Sequence, residues 1–438
     1  MTSIQPAELD ARPRSRRDPA PDGARRLPPA AAFPLLAVAL LGLFAAGSAP
    51  SPLFPIFQHQ WGFAPGMLTV AFAVYALALL ATLLVAGSLS DHLGRRPVLV
   101  AALLLQAVAM VMFLLADGVG WIVMARVVQG VATGAASGAL TAAVTEAAPP
   151  AYRRFGTLVG GLAPLAGLAV GALATGFVVR FTGRPTEIVF AGLAAFFVLA
   201  AGIVLAVPET VRRRPGAWRS LSPRLSVPPR ASREFATSLP IAIANWALGG
   251  LYLALVPTLV RSTFGVDSGL VSGFAIATLA GVGALASVAL GGLHPRRTTV
   301  IGATAVGVGG VVLLGAVWSG SLALLFAGTA VAGVGFGAAF TGTLRLLAPL
   351  AEPHERAEFF AACFMVNYLA FGLPTIVAGQ LIAPLGLRAT VLGYVVVVIA
   401  LELAGLVGQS ALARSARTGA APATTCGRPR ALAVCPGE

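Results

Sequence analysis

A short polar turn between two long apolar segments decides the fold of this chain. It reads Gly87-Ser88-Leu89-Ser90-Asp91-His92-Leu93-Gly94-Arg95-Arg96-Pro97-Val98-Leu99. Its glycines allow a tight turn where two helices come close together. Asp91 and the paired Arg95 and Arg96 can hold neighbouring helix ends together by charge. Taken alone, this string fits any helical hairpin turn, so its meaning depends on the segments around it.

The surrounding segments are apolar and long enough to cross a membrane. The chain has 438 residues, of which 57% are hydrophobic and 11% charged, a composition that excludes an ordinary water-soluble protein. A helix needs about 20 apolar residues to cross the hydrocarbon core, and its backbone groups must be satisfied internally. The qualifying segments are 32–57, 67–86, 97–116, 121–147, 156–181, 187–207, 236–261, 270–290, 298–318, 321–347, 357–383 and 389–411. We therefore predict an all-α integral membrane protein with twelve transmembrane helices.

The placement of charge predicts the orientation of the chain. All thirty basic residues are arginines and the formal net charge is +14, which in a soluble protein would suggest nucleic-acid binding. Outside the apolar segments, however, the arginines gather before the first segment and after the even-numbered ones. The exceptions are Arg180, Arg184, Arg261 and Arg388. By the positive-inside rule we expect both termini in the cytoplasm, in a multi-pass protein of a bacterial inner (plasma) membrane, and no nucleic-acid partner.

The two ends of the chain differ from the rest in composition. Residues 1–31 and 412–438 are poor in large apolar residues, and we expect both to be disordered cytoplasmic tails. The stretch ending at Ala49 has features of a signal peptide, but apolar residues continue beyond Pro50 and the topology requires this helix. The cysteines lack metal-ligand spacing, so we expect no metal and no cofactor. They are Cys363, Cys426 and Cys435.

The chain repeats itself at an offset of about 203 residues. Residues 130–136 resemble residues 333–339, and Pro150 aligns with Pro353. Chance similarity between Ala/Gly-rich helices is the alternative, but the register is shared across separate helices and loops. The repeat predicts an N-terminal six-helix bundle at 32–207, a cytoplasmic connector at 208–235 and a C-terminal six-helix bundle at 236–411.

Three stretches resemble signature motifs of the major facilitator superfamily. The turn at 87–96 is similar to G-x-L-x-D-(R/K)-x-G-(R/K)-(R/K) and departs from it only at His92. Residues 126–130 (Arg-Val-Val-Gln-Gly) are similar to R-x-x-Q-G, and residues 208–210 (Pro-Glu-Thr) to the ending that often follows the sixth helix. The resemblance covers residues 32–411. It implies two pseudo-symmetric six-helix bundles, with a substrate site between them near the membrane midplane.

The resemblance also implies a gate on the cytoplasmic side. The aspartate of the turn is expected against the N-terminal end of the eleventh helix, where the helix dipole favours it, and this contact should break when the cytoplasmic side opens. Glu146 is expected to join the same latch; a solvated carboxylate at a helix end is the alternative. The expected gate residues are Gly87, Asp91, Gly94, Arg95, Arg96, Glu146 and Arg356.

Charges inside the apolar segments are candidates for proton coupling, because each costs about 2.5–3.5 kcal/mol at a helix centre. The arginine of R-x-x-Q-G is associated with proton coupling and faces the cavity in the family, which implies these roles for Arg126, with Gln129 on nearly the same face. An arginine that only reaches the interface is the alternative, and we expect that position for Arg345. Glu402 is either a coupling site or a carboxyl that is protonated or paired with Ser or Thr. Glu146 is a further coupling candidate.

The fifth segment and several polar or aromatic residues complete the expected site. Residues 160–171 incompletely resemble the antiporter motif G-x-x-x-G-P-x-x-G-G, which bends and packs a helix; ordinary packing of small residues is the alternative. The expected motif residues are Gly161, Pro164 and Gly167. The expected cavity residues are the run 48–57 together with Tyr75, Asn245, Trp246, Tyr252, Asn367 and Tyr368.

These features favour a secondary active transporter that moves a small, lipophilic organic molecule by alternating access as a monomer. Proton-coupled efflux is the favoured direction, and neutral or anionic substrates are favoured because the first and fifth segments hold no acidic residue. A proton-coupled importer of an organic acid or sugar remains open. A polytopic membrane enzyme is disfavoured because the four histidines are dispersed, and neither a phosphate-cradling loop nor a selectivity filter is present in the sequence.

Overall fold

The computed structural model describes residues 27–87, 89–209, 211, 215 and 225–418, and every regular element in this part of the chain is helical. The helices are α1 (Pro29–Ser48), α2 (Phe54–Trp61), α3 (Pro65–Ala86), α4 (Leu89–Leu93), α5 (Arg95–Leu114), α6 (Val119–Ala147), α7 (Arg153–Phe181), α8 (Pro185–Ala206), α9 (Ser232–Ala254), α10 (Val256–Ser262), α11 (Gly269–Ala289), α12 (Pro295–Ser319), α13 (Leu322–Leu347), α14 (Arg356–Leu385) and α15 (Leu387–Thr418). Twelve of the described helical segments are long and apolar enough to cross a membrane, which confirms the predicted fold class.

The helix ends differ from the predicted segments where the chain leaves the apolar region. α9 begins at Ser232, inside the predicted connector, and α15 continues to Thr418, inside the predicted tail. Hydropathy cannot detect these turns, because a helix that emerges from the membrane continues with polar residues. The predictions for 1–26, for 419–438 and for most of the connector lie outside the described residues.

The outer faces of the helices are apolar, as lipid requires. Leu199, Leu285 and Val407 are 65%, 72% and 65% exposed, respectively, and each lies on a membrane-spanning helix. In water such a surface would drive aggregation, whereas in a bilayer it contacts acyl chains that are equally apolar. The exposed apolar residues therefore belong to the lipid-facing surface.

Each half of the chain has its own buried apolar cluster. The cluster of the N-terminal half runs from Leu36 on α1 to Val204 on α8. The main cluster of the C-terminal half runs from Ala244 to Val398 and also includes Phe72, Ala76, Leu165 and Ala172 of the first half. These four side chains belong to α3 and α7, the two helices of the N-terminal half that make the most extensive contacts with the other half.

The halves meet on one side of the molecule. An even number of crossings places both described ends on one face, here called the terminal face, and the other is called the far face. From the far face to the middle of the molecule, α3 packs on α14, and α7 packs on α11. In the contact between α3 and α14, the ring centroids of Phe72 and Phe371 are 4.7 Å apart. A Cβ added to Gly379 would overlap Thr69, so the backbones are very close there.

One hydrogen bond joins the two halves at the far face. The Arg261 guanidinium Nη1 on α10 donates to the carbonyl oxygen of Pro55 on α2 over 3.3 Å, and Nε of the same residue lies 3.7 Å from the Asp267 carboxylate. Between described residues at the terminal face, no hydrogen bond or ion pair joins the halves. The described contacts thus close the far face.

Candidate functional site

The polar turn is built around a helix start that a distant glutamate caps. Gly94 has φ of +99°, a conformation that favours glycine, and α5 begins at the next residue. The Glu209 carboxylate accepts hydrogen bonds from the backbone N–H groups of Arg95 and Arg96, both at 3.0 Å. A Cβ on Gly94 would lie 2.8 Å from the same carboxylate. Glu209 therefore ties the end of α8 to the start of α5.

Sequence reasoning did not give Glu209 a role, although the Pro-Glu-Thr motif was visible. Free N–H groups and the helix dipole make the first turn of a helix a favourable place for a carboxylate. A glutamate can be recognised as a cap only when the helix start that it contacts is known. The start of α5 lies more than a hundred residues before Glu209 in the chain, so the sequence did not reveal the contact.

The turn also makes an ion pair with α6. The Arg95 guanidinium Nη2 lies 2.6 Å from the Glu146 carboxylate, so the structure brings two of the expected gate residues together. Asp91 is exposed, and it forms no hydrogen bond or ion pair with another described residue. Arg356 starts α14, and its Nε donates to the Ala351 carbonyl oxygen over 3.2 Å. The expected contact between Asp91 and the start of α14 is absent from this arrangement, in which the terminal face is not latched.

Arg126 lies inside the N-terminal half, in a cage of aromatic rings. The side chain is 0% exposed, which excludes the alternative that it reaches the membrane interface. Its guanidinium carbon lies 5.3 Å from the ring centroids of Phe54 and Tyr75 and 5.8 Å from that of Phe113. Aromatic faces attract a cation, and the attraction is larger where water is excluded. These three rings come from α2, α3 and α5.

Hydrogen bonds tie Arg126 and Gln129 to the end of α1. Arg126 Nη1 donates to the carbonyl oxygen of Gly47 over 3.1 Å and to Gln129 Oε1 over 2.9 Å. Gln129 Nε2 donates to the Ala46 carbonyl oxygen over 2.7 Å. Arg126 Nε and Nη2 have no hydrogen-bond partner among the described residues. The predicted pair is therefore a buried unit that holds α1 against α6, with donor capacity left over.

A narrow cleft lies within the C-terminal half between α9, α13 and α14, with a cavity volume of about 30 Å³, or about 440 Å³ when all the space open to solvent is counted. It extends from Phe235, near the start of α9 at the terminal face, to Trp246 in the middle of that helix. Three of the expected cavity residues line it: Asn245, Trp246 and Asn367. Tyr368 adjoins it, with its ring centroid 5.2 Å from that of Trp246.

The cleft is apolar except for amide, hydroxyl and thiol groups. Its lining residues are Phe235, Ser238, Leu239, Ile241, Ala242, Asn245, Trp246, Ala339, Phe340, Thr343, Leu344, Leu347, Cys363, Val366 and Asn367. None of these carries a formal charge at neutral pH. The Nδ2 group of Asn245 donates to the Phe336 carbonyl oxygen over 3.2 Å, while its Oδ1 has no partner in the described part of the chain.

The other expected cavity residues do not line this cleft. Tyr252 is fully buried and its hydroxyl bonds to the Thr329 hydroxyl at 2.6 Å, so it packs inside the C-terminal half. Tyr75 belongs to the cage around Arg126 and is also buried. In the run 48–57 the chain turns between α1 and α2, and Ser48, Ser51 and Leu53 are 0% exposed. Aromatic and polar side chains in a membrane helix satisfy one another inside a bundle as readily as they line a cavity.

The fifth membrane-spanning helix, α7, contains the expected bend motif. The helix runs through Pro164 without a break from Arg153 to Phe181. A Cβ on Gly167 would lie 2.6 Å from Phe44 Cβ and 2.7 Å from the Leu41 carbonyl oxygen, so Gly167 allows α7 to pack closely on α1. Gly161 has open space around it. Close packing is therefore observed at one of the two expected glycines.

The two remaining charged candidates of the C-terminal half have different surroundings. Arg345 Nη2 donates to the Leu293 carbonyl oxygen over 3.1 Å, near the terminal face. Glu402 is 0% exposed, and neither of its carboxyl oxygens has a hydrogen-bond partner among the described residues. The alternative in which a Ser or Thr pairs with Glu402 is thus wrong. No group of His, Cys, Asp and Glu in the described ranges could hold a metal ion.

Comparison with known proteins identifies the family. The sequence profile of the Major Facilitator Superfamily matches residues 36–297. The Multidrug resistance protein MdtL of Shewanella sp. (strain ANA-3) is 25% identical over 216 residues, which are 49% of this chain and 54% of that protein. The match therefore spans about half the length of this curated relative.

Solved structures share the fold at low sequence identity. A bacterial homolog of the human lysosomal transporter Spinster, solved in an inward-facing and unoccupied conformation, has a TM-score of 0.70 at 14% identity, covering 88% of this chain and 98% of that chain. A POT family transporter in complex with 5-aminolevulinic acid has a TM-score of 0.71 at 12% identity, covering 88% and 97%. Because the profile matches more than half of the chain, the chain belongs to the Major Facilitator Superfamily.

Proposed function

We propose that this member of the Major Facilitator Superfamily exports small, neutral, amphiphilic organic molecules across the cytoplasmic membrane in exchange for protons. Membership makes the chain a transporter of small molecules and not an enzyme. The direction, the driving ion and the chemical class of the substrate are the proposed parts.

The lining of the cleft carries the proposed substrate class. It combines aromatic and aliphatic surface with the amides of Asn245 and Asn367, and none of its residues is charged. Binding sites of this kind take up ligands by apolar contact and use a few polar groups to orient them. An organic cation would lose its hydration here without gaining a carboxylate partner, which costs several kcal/mol. A neutral molecule with hydroxyl or amide groups avoids this cost.

The proposed orientation of the chain in the membrane rests on the distribution of the arginines, which favours a cytoplasmic terminal face. If the terminal face is cytoplasmic, the far face is periplasmic, and the cleft beginning near Phe235 is reached from the cytoplasm. A lipophilic molecule would enter there, the terminal face would close around it, and the far face would open. In the closed form, Asp91 would contact the start of α14, as the motif implies.

Two further observations support export. The relative that matches half of this chain is named a multidrug resistance protein. In addition, α7 packs on α1 through Gly167 and Gly171 with almost no space between the backbones, as expected for a helix that must not leak ions during antiport.

An accumulation assay in an efflux-deficient bacterial host tests this proposal. Cells that express the chain are loaded with radiolabelled chloramphenicol, a neutral amphiphile with hydroxyl and amide groups, or with the organic cation ethidium. We expect lower steady-state chloramphenicol in expressing cells than in cells with the empty vector. We also expect the difference to vanish when a protonophore is added, and ethidium levels to be unchanged.

The same assay can contradict the proposal in two ways. Higher accumulation of chloramphenicol in expressing cells would mean import. Efflux of ethidium without efflux of chloramphenicol would show that the uncharged cleft does not select the substrate.

A further inference from the structure

The position of Glu402 in the twelfth membrane-spanning helix, α15, is unusual. The buried residues of α15 repeat at the spacing of one helix face, and Glu402 lies in their middle. They are Thr390, Val391, Val395, Val398, Glu402, Gly405 and Gln409. Glu402 is thus on the face that packs into the C-terminal half and is directed away from lipid.

Helix register places Glu402 among small apolar residues. A Cβ on Gly405 would overlap Ile241, and one on Gly408 would lie 3.4 Å from Thr237. Since α9 and α15 are antiparallel, this register puts Glu402 level with Ala244, which is 0% exposed. The hydrogen bond from Arg296 on α12 to Gln409 on α15 sets the register of these two antiparallel helices. In this register Glu402 is level with Ala303 on α12.

No described charge compensates a carboxylate at this position. Neither oxygen of Glu402 has a hydrogen-bond partner, and none of the described ion pairs includes it. The described titratable and charged side chains on α9, α12, α13, α14 and α15 itself are Arg233, Glu234, Tyr252, Arg296, Arg297, Arg345, Arg356, Glu358, Cys363, Tyr368, Arg388, Tyr394 and Arg414. A buried carboxylate without a partner is far more costly than the neutral acid, so this site accommodates a bound proton.

A polar cluster leads from the terminal face toward Glu402. Gln409 lies two turns beyond Glu402 on the same face of α15, about 10 Å along the axis. Its Nε2 donates to the hydroxyls of Thr237 and Ser238, both at 3.2 Å. Arg296 donates to Gln409 Oε1 over 3.1 Å and pairs with Glu234 at the start of α9.

The surroundings of Glu402 are continuous with the cleft. Ile241 and Ala339 line the cleft, and both pack in one buried cluster with Leu406, which lies one turn after Glu402. Asn245, which follows Ala244 on α9, also lines the cleft and has an unpartnered Oδ1. Ile241 and Ala339 thus belong both to the surroundings of Glu402 and to the wall of the cleft.

We propose that Glu402 is the proton-binding site that couples the proton gradient to substrate movement, reached from the terminal face through the cluster of Glu234, Arg296 and Gln409. The proposal rests on the proposed function for the identity of the driving ion. It assigns the proton to the C-terminal half, next to the cleft.

Chemical labelling tests the proton site without requiring transport. Dicyclohexylcarbodiimide adds to protonated carboxyl groups in apolar surroundings, and peptide mass spectrometry locates the adduct. The purified full chain in lipid nanodiscs is treated in acidic and in alkaline buffer. We expect an adduct on Glu402 in acidic buffer, several-fold less of it in alkaline buffer, and none in Glu402→Gln. Absence of the adduct in acidic buffer, or equal labelling in both buffers, would overturn the proposal.

Transport by the same variant tests coupling. Proteoliposomes containing wild type, Glu402→Gln or the control Glu187→Gln are assayed with radiolabelled chloramphenicol. Glu187 is an exposed carboxylate at the start of α8 that pairs with Arg184. We expect Glu402→Gln to lose accumulation driven by a pH gradient, at least tenfold, while it still exchanges labelled for unlabelled chloramphenicol. Glu187→Gln should match wild type in both assays.

The outcomes separate the two proposals. If wild type shows no proton-driven transport but Glu402 is labelled as expected, the proposed function fails while the proton site stands. If wild type is proton-driven and Glu402→Gln accumulates chloramphenicol at the wild-type level, the coupling role of Glu402 is refuted and the proposed function stands.

Discussion

At the scale of single residues, Arg126 shows how much a buried charge depends on its surroundings. Its guanidinium has two hydrogen-bond acceptors and three aromatic faces, but no carboxylate. A planar guanidinium can stack on rings and donate in several directions at once, which an ammonium group cannot do. The residue therefore holds α1, α2, α3, α5 and α6 around one positive charge.

We expect Arg126→Ala to abolish proton-driven transport and Arg126→Lys to retain part of it. Alanine leaves the Gly47 carbonyl oxygen and Gln129 without their donor, which costs about 1–3 kcal/mol. Lysine keeps the charge and one bond. Chloramphenicol transport in proteoliposomes gives the rates, and fluorescence-detected gel filtration gives the folded yield. If Arg126→Ala were folded and showed unchanged rate and pH dependence, Arg126 would have only a structural role.

Asp91 is expected to act only when the terminal face is closed. It is exposed and unpaired with described residues in this structure, so Asp91→Asn should leave the thermal stability of this form unchanged. In the closed form the variant loses a carboxylate at a helix start, worth about 1 kcal/mol, and the population of that form should fall roughly fivefold. Transport should slow accordingly.

A matched variant controls for the loss of negative charge. Asp117→Asn removes another exposed aspartate, between α5 and α6 at the far face. We expect it to transport at the wild-type rate. Equal rates for Asp91→Asn and Asp117→Asn would remove Asp91 from the gate.

At the scale of helices, two glycines of α7, Gly161 and Gly171, differ in how closely α1 packs against them. A Cβ on Gly171 would overlap the Ala45 carbonyl oxygen, whereas Gly161 has open space. Alanine is normally the better helix former by about 0.5–1 kcal/mol. Gly161→Ala should therefore be neutral or slightly stabilising, and Gly171→Ala should destabilise by about 1–3 kcal/mol because α7 must move off α1.

Thermal unfolding in detergent, followed by gel filtration, compares the two variants directly. We expect a lower unfolding midpoint for Gly171→Ala than for Gly161→Ala. The same midpoint for both would mean that the contact between α1 and α7 does not contribute to stability.

The membrane-spanning helices were predictable from the sequence because lipid, and not water, surrounds them. A segment of more than 20 apolar residues has only one inexpensive conformation in a bilayer, and all twelve predicted spans are helical in the structure. The first predicted span breaks between α1 and α2, and the seventh breaks at Leu255 between α9 and α10. The start of α14 at Arg356 also agrees with the expected end of the eleventh helix. The predicted boundaries were wrong at α9 and α15, where polar turns extend the helices beyond the apolar core.

The site was predictable only where a motif fixes local geometry. The turn at 87–96 and the pair formed by Arg126 and Gln129 are compact in sequence, and in the structure Arg95 bonds to Glu146 and Arg126 to Gln129, whereas the expected contact of Asp91 is absent. The cage around Arg126 comes from three helices far apart in the sequence, and the Glu209 cap joins positions over a hundred residues apart. The pattern of residues along one helix does not show which residues of other helices it contacts. The same limit explains why Tyr252 was assigned to the cavity.

At the scale of the whole molecule, the two halves can be held together at either of two faces, the far face or the terminal face. The far face is held by helix packing and by the bond from Arg261 to Pro55, while the terminal face lacks any described bond between the halves. A net hydrogen bond contributes about 1 kcal/mol, so its loss shifts a two-state equilibrium roughly fivefold.

Arg261→Ala should therefore open the far face more often. The distance between spin labels on α2 and α10, measured by pulsed electron paramagnetic resonance, should show a larger fraction of long distances. Arg388→Ala is the matched control, because Arg388 bonds to the Trp318 carbonyl oxygen within the C-terminal half over 2.7 Å. If Arg388→Ala had the same effect, or Arg261→Ala none, the bond across the far face would not hold the halves together.

Exchange of a neutral amphiphile for protons fixes the side of the membrane on which the substrate accumulates in a pH gradient. Purified protein is reconstituted into proteoliposomes with an acidic or an alkaline lumen, and uptake of radiolabelled chloramphenicol is measured. Because this probe is neutral, a pH gradient alone does not trap it, and an antiporter accumulates it on the acidic side whichever way the protein is inserted. We expect accumulation in the acidic lumen that nigericin abolishes. Accumulation in the alkaline lumen, or equilibration that ignores the gradient, would contradict it.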